Sequence, residues 1–406
     1  MSKKTVIILW IFVFVLTASV FSLKSRKGDS GEAQTDRRRG ETVLASFPAT
    51  EVSSIQIKGA EQSVTLDKSA DGWIVVERGN YPANFTNINN LLRTMESVKI
   101  NHAIEAGPSY GKRFGMDHSS KKTEEHGVQL TFLKADKSKA ATISLGKDST
   151  GGGRYIQNAA DDSGIYVTSE SFPTASANPK DWLNESFIAV DKINSIAVSA
   201  AGKPEQAEWK LTRADQNAEF ALEGAAATES LDTTAAGSYK TLLSSARFQD
   251  VTSTEASVVE QSPERRVATL TTTDGFTYTL TLLAKPALKV PDALAQTGEE
   301  TPPAEENYQM TVKVDGKFAT ARTKPADEKP EDAKAADEAF QASLKTLQEK
   351  LKTEQAFQGR VYEVSKYTID ALLKSRADLL QKTTTEPSNS LQPTEATTPP
   401  ISIDGP

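Results

Sequence analysis

The 406-residue chain contains no cysteine. That excludes disulfides, thiol catalysis, zinc–thiolate sites and a lipid anchor carried on cysteine. A chain without cysteine is compatible with export from a bacterial cell. Histidine is scarce as well: His102, His118 and His126 are the whole complement, and all lie within residues 101–126. Excess positive charge is also missing. Lys and Arg number 47 against 54 Asp and Glu, the net charge is −7 and the pI is near 5.3. Nucleic acid is therefore not expected as a main partner, because binding phosphates needs a basic surface.

The signatures of several enzyme classes are absent too. The Gly-rich stretch "TGGGRY", Thr150 to Tyr155, lacks the Lys-Ser/Thr of a phosphate-binding loop and runs into a strand pattern rather than a helix. It reads as a tight turn. No dinucleotide Gly-x-Gly-x-x-Gly and no Gly-x-Ser-x-Gly elbow occurs. The three histidines, with Glu124 and Glu125 before His126, do not have the His-Glu-x-x-His spacing of a zinc helix. They read as solvated loop residues, so no metal site, cofactor site or catalytic set is assigned. Trp73, Trp182 and Trp209 sit beside turns or strand ends, where filling a core outweighs forming a binding platform. Asn84 and Asn184 begin glycosylation sequons, which matter only in a eukaryotic secretory pathway.

What the chain does have begins at its N-terminus. Thr5 to Leu23, "TVIILWIFVFVLTASVFSL", is uncharged and apolar. Nineteen helical residues nearly span a hydrocarbon core of about 30 Å. Thr17-Ala18-Ser19 is a poor cleavage site, so a retained signal anchor over 1–23 is favoured over a cleaved signal peptide. A basic polar linker follows at 24–44. Lys3 and Lys4 precede the span, whereas Lys24, Arg26, Lys27, Arg37, Arg38 and Arg39 follow it, so the positive-inside rule leaves orientation open. An extracytoplasmic (periplasmic) body on a bacterial inner membrane is the expected placement, and a cytoplasmic body is the alternative. The Thr/Pro-rich tail, 383–406, is of low complexity and expected to be disordered.

Between linker and tail the same pattern runs twice. "SSIQIK", "SVTLDK" and "GWIVVER" give three short strands, answered by "NSIAVS", "EWKLTR" and "AEFALEG". Each set is followed by a helical stripe: Ile88, Leu91, Leu92 and Met95 after an N-cap at Asn84, then Tyr239, Leu242, Leu243 and Ala246. "VQLTFLKADKSKAATISLG" and "VATLTTTDGFTYTLTLLAK" read as matching hairpins, and further strand matches follow. Seven elements in one order predict an α+β fold of two repeated modules, 45–190 and 191–382. Each is a mainly antiparallel sheet with a packed helix. Trp73 falls where Phe220 falls, which favours packing over chemistry. The second module carries insertions near 285–306 and 326–356. In the second insertion Phe340, Leu344, Leu347 and Leu351 step by 4, 3 and 4. That seam suits a helix packed on its own domain or one docked to a partner subunit.

The stretches "SIQIKG", "VTLDKSADGWIV", "YPANFTNINNLL", "RYIQ", "GIYVTSESF" and "DWLNE" resemble the bacterial domain of unknown function 4340 family. The resemblance extends over most of residues 45–380 and rests on structural motifs. It implies an envelope protein of unknown activity, often encoded beside ABC transporter components of the gliding-motility type. It carries no catalytic residues. The resulting expectation is a non-catalytic, membrane-anchored accessory or scaffolding subunit of an ABC-type transport system, with permease or ATPase subunits as partners. An envelope-polymer hydrolase and an adhesion or surface-interaction protein are the alternatives.

Overall fold

The structure is a computed structural model, described here over residues 38–104, 110–160, 164–285, 306–325 and 328–381. The expected membrane span, most of the linker, the first insertion between 286 and 305 and the Thr/Pro-rich tail lie outside these residues. Among the described residues no helix is long and apolar enough to cross a membrane.

Alternating apolar and polar residues build two antiparallel sheets. The first takes β1 (Val52–Lys58), β2 (Ser63–Ser69), β3 (Gly72–Val75), β4 (Tyr81–Pro82), β5 (Ile100–Ile104), β6 (Val128–Lys134), β7 (Lys139–Asp148), β8 (Arg154–Asn158) and β9 (Ile165–Thr168). Their order across the sheet is β4-β3-β2-β1-β6-β7-β8-β9-β5. The second takes β10 (Ile193–Ala200), β11 (Lys203–Thr212), β12 (Ala221–Leu222), β13 (Asp250–Thr252), β14 (Arg266–Thr272), β15 (Phe276–Ala284), β16 (Asn307–Gly316) and β17 (Val361–Ser365). Its order is β12-β11-β10-β14-β15-β16-β17-β13. The two orders coincide once β4, which has no strand equivalent, is set aside.

Register makes the equivalence residue-specific. Ile55 faces Leu66 and Phe132, as Ile196 faces Leu211 and Leu270. Leu66 then faces Val75, and Leu211 faces Leu222, so two residues earlier Trp73 corresponds to Phe220. Even the irregularity repeats: the β1–β6 pairing slips between Val52 and Ser54, and the β10–β14 pairing between Ile193 and Ser195. A bulge at one place in two pairs is set by the backbone, not by chance apolar spacing. Trp73, Trp182 and Trp209 are all buried, and the latter two donate Nε1–H to the Ser176 and Lys374 carbonyls, both at 2.8 Å.

The helices differ between the halves. Helix α1 (Phe85–Ser97) is capped by Asn84, whose side chain accepts from the Asn87 amide at 3.2 Å; it buries Ile88, Leu91 and Met95. After the short α2 (Gly111–Phe114) and α3 (Thr123–His126), its counterpart in the second half is only α4 (Thr233–Gly237). A single turn, Ser238–Thr241, follows it, and Leu243 then takes φ +60°. The continuous helix expected through Ala246 does not form. Gly237 and the run of Ser and Thr weaken a helix here, since short hydroxyl side chains compete for the backbone. Tyr239, Leu242 and Leu243 still reach the core. The first module also starts earlier than expected: Val43 and Leu44, drawn with the linker, are buried beside α1, and the Val43 amide donates to the Val98 carbonyl at 2.8 Å.

After α5 (Ala256–Glu260), the second insertion is α6 (Pro330–Gln355), 26 residues placed between β16 and β17. Leu347 and Leu351 of its seam pack against the core, and Glu354 is buried. Lys350 donates to the Ala189 carbonyl at 2.8 Å and pairs with Asp191 at 3.2 Å, tying the helix to the connection between the sheets. Removal from water pushes the Glu354 carboxyl above the usual range. Helix α7 (Lys366–Leu373) follows β17 and buries Ile369 and Leu372.

The sheets share one core. Tyr362 of β17 meets Phe187 at 4.6 Å, Phe248 at 5.3 Å and Tyr81 of β4 at 6.2 Å between ring centroids. Beside this cluster Arg78 makes a two-pronged ion pair with Asp250 at 2.7 and 3.0 Å, and Arg360 lies over the Tyr81 ring at 5.0 Å. Tyr362→Ala removes the shared ring. It is expected to cost about 3–5 kcal/mol of stability in urea unfolding, as for other buried aromatics; a loss below about 1 kcal/mol would contradict this account.

Candidate functional site

The first module covers one strand twice. Ala140 to Gly146 of β7 are all buried, although a strand in a two-layer module should hide only alternate residues. Ala141, Ile143 and Leu145 face the core. The opposite face carries Ala140, Thr142, Ser144 and Gly146, and its end at Ser144 and Gly146 lies under residues 110–127, which hold α2 and α3. At the glycines the contacts are backbone on backbone. A Cβ on Gly127 would lie within 2.3 Å of the Gly115 and Leu145 carbonyl oxygens. One on Gly146 would lie within 2.1 Å of the Phe114 carbonyl oxygen. Gly127 also has φ +64°. Glycine is needed there for conformation and for clearance.

The flap therefore corrects the reading of 101–126 as a solvated loop. His102 stays exposed on β5, but His126 is buried and His118 is half-buried. Their rings meet edge to face at 5.1 Å. His126 donates Nδ1–H to the Gly127 carbonyl at 3.0 Å, and His118 Nε2 hydrogen-bonds the Ser144 hydroxyl at 2.7 Å. The buried His118 Nδ1 has no hydrogen-bond partner. A second proton there would be an unsatisfied buried donor, so burial, followed by repulsion from His126 and Lys58, lowers the His118 pKa. Glu125 latches the flap: it accepts from the Ser120 hydroxyl at 2.8 Å and pairs with Lys112 at 3.3 Å. Glu124 remains exposed. Among the described residues no group of three His, Asp or Glu is placed to hold a metal.

Where the flap meets the end of β7, the start of β8 and residues 171–175, a cavity of about 420 Å³ opens. Thr123, Glu124, Lys147, Asp148, Arg154 and Phe172 contribute to its wall. The "TGGGRY" stretch is the β7–β8 turn beside it, as its composition implied. Ser149 and Gly153 close that turn with a 2.9 Å hydrogen bond, and Gly153 passes so near the Thr168 carbonyl that a Cβ would collide. The turn delivers Arg154 to the cavity. Its Nε donates to the Gly146 carbonyl at 2.7 Å, and partial burial lowers its pKa against the opposing pull of Asp148. No sequence motif marks Arg154 as a site residue, because its importance lies in what surrounds it.

The family model described as "Domain of unknown function (DUF4340)" matches residues 73–265. Over these residues the chain is similar to the DUF4340 family. The match opens in β3 and closes just before β14, so the DUF4340 unit bridges both sheets and includes the flap, the cavity and Arg78–Asp250. It is shorter than the span of 45–380 over which the sequence resembles the family. No curated protein and no solved structure matches the chain.

A histidine whose folded pKa lies below its unfolded value of about 6.5 stabilises the fold above that value, and the stabilisation is lost as pH falls through the folded pKa. Thermal unfolding of the wild type should therefore move to lower temperature between about pH 7 and pH 5. His118→Gln, which can keep the bond to Ser144, is expected to flatten that slope. An unchanged slope would show that His118 does not titrate in this range.

Proposed function

We propose that this chain is a non-catalytic, membrane-anchored envelope protein serving as an accessory or scaffolding subunit of an ABC-type transport system. The DUF4340 match supports this reading through the resemblance to envelope proteins encoded beside such transporters. The observation that carries it furthest is α6. At 1.5 Å per residue the helix is roughly 39 Å long. Its C-terminal half is fastened by Leu347, Leu351 and Glu354, whereas Phe340 and Leu344, half-exposed, do not pack on the core formed by the described residues. The N-terminal half is braced instead by Arg322, which pairs with Glu328 and Asp337. A braced helix running off a rigid two-sheet body is a suitable docking element for a permease or ATPase subunit. The membrane anchor at 5–23 would hold the body close to such a complex, on the periplasmic side of a bacterial inner membrane.

Tagged full-length protein purified in mild detergent should bring down an ATPase and a permease. Phe340→Ala with Leu344→Ala should release them while leaving the unfolding midpoint within about 1 kcal/mol of wild type, the range for half-exposed positions. Recovery of the wild-type chain alone would remove the transporter assignment. For orientation, an alkaline phosphatase fused to the C-terminus should be active, and a stable but inactive fusion would place the body in the cytoplasm.

A further inference from the structure

We infer that the cavity beneath the 110–127 flap is a ligand site for a carboxylate attached to a small apolar body, with Arg154 as its anchor. The inference does not depend on the transporter reading.

Arg154 is a partly buried cation without an ion pair among the described residues. Its Nε is committed to the Gly146 carbonyl, and among the described residues the terminal guanidinium nitrogens have neither a hydrogen bond nor a carboxylate within ion-pair distance. Asp148 is its cross-strand partner in register, yet the two form no ion pair. Burying a guanidinium this way costs stability unless something later satisfies it. One fixed nitrogen and two open ones make an aligned fork, the geometry that accepts two carboxylate oxygens in parallel.

The rest of the wall sets the ligand's character. Lys147 and Arg154 are balanced by Glu124 and Asp148, so the lining is neutral and suits a monoanion better than a phosphate dianion. Phe172, Val128 and Ala175 supply an apolar side. Phe172 is 2% exposed, part of the hydrophobic core as well as of the cavity lining, and holds φ +55°, an unusual conformation for an aromatic residue.

The second module shows that none of this is required by the fold. Leu145 pairs with Ile156, as Leu282 pairs with Met310, so Arg154 corresponds to Tyr308. After the last strand the second module forms α7, where the first module runs as the irregular strap carrying Phe172. The same framework is thus built without the arginine and without the strap.

The test uses full-length protein in detergent and the fluorine NMR linewidth of 4-fluorobenzoate, with 4-fluorobenzamide and 4-fluorophenyl phosphate as comparisons. The wild type should broaden the benzoate line, leave the neutral amide sharp and bind the phosphate ester more weakly. Arg154→Gln, whose amide can still reach Gly146, should weaken benzoate binding at least tenfold in the same detergent. Ser171→Glu, an exposed change on the cavity wall that leaves Arg154 in place, should weaken it as well, and it carries the test if the Arg154 variant unfolds. Equal broadening by wild type and both variants, no broadening by wild type at 10 mM probe (about the weakest binding worth calling a site), or tighter binding of the phosphate ester would overturn the assignment.

Discussion

Tyr362 gathers aromatic rings from both halves of the body: Tyr81 from the first sheet, Phe248 and Phe357 from the segments just before β13 and just after α6, and Phe187 from the connection between the sheets. Edge-to-face and tilted contacts of this kind add about 0.5–1.5 kcal/mol each beyond the area they bury. The cluster turns two sheets that could each have stood as a domain into one hydrophobic core. Polar groups are fitted around it without being left bare. The Tyr362 hydroxyl donates to the Phe357 carbonyl at 3.0 Å, and burial pushes the Tyr81 phenol up to about 12 against the pull of Arg360. Arg78 and Asp250 close the same seam with charge. Both are about one-fifth exposed, so the pair sets alignment more than it adds stability. The position of α6 follows from this junction, because Lys350 and Glu354 grip Ala189 and Asp191 in the connection that the cluster holds still.

The architecture was legible wherever it rested on alternation. Strands β1 to β3 and β10 to β12, the two long hairpins and the match of Trp73 to Phe220 could be read from spacing alone, because each strand must present one apolar face to the core. The cap at Asn84 was legible for a different reason: an Asn before an apolar stripe satisfies a free backbone amide. The second stripe misled. Tyr239, Leu242 and Leu243 are buried as a helix would bury them, yet a left-handed Leu243 brings them inward over a broken turn. Burial pattern and backbone shape are separate facts, and periodicity reports only the first.

The site was not legible at all. Residues 110–127 adhere to β7 through glycine backbone, and such contacts leave no hydrophobic rhythm in a sequence. They are why a polar stretch with two histidines is folded down rather than solvated. Arg154 was visible only as part of a Gly-rich turn. What singles it out is a half-buried charge with no ion pair among the described residues, and that is a property of the assembled fold. The two modules together make the point physically: a shared framework fixes where strands go, and the departures from it, the flap, the strap and α6, are where specific interactions can be placed.

The seam between the sheets has a further consequence for how the molecule behaves at high protein concentration. Open sheets offer unpaired backbone at both edges, which invites neighbouring chains to add strands. Here β4 at one edge and β13 at another are two and three residues long, and Tyr81 and Asp250 turn them toward each other across the module junction. A third edge, β12, is two residues long. The longer open stretches lie on β5, whose Ile100 already exchanges hydrogen bonds with Gly40 and Glu41, and on β11, where β12 covers only Leu211 and Thr212. By bringing two of its four sheet borders together, the protein withdraws those strand edges from neighbouring chains, a form of colloidal protection that comes with the same contacts that make it one body.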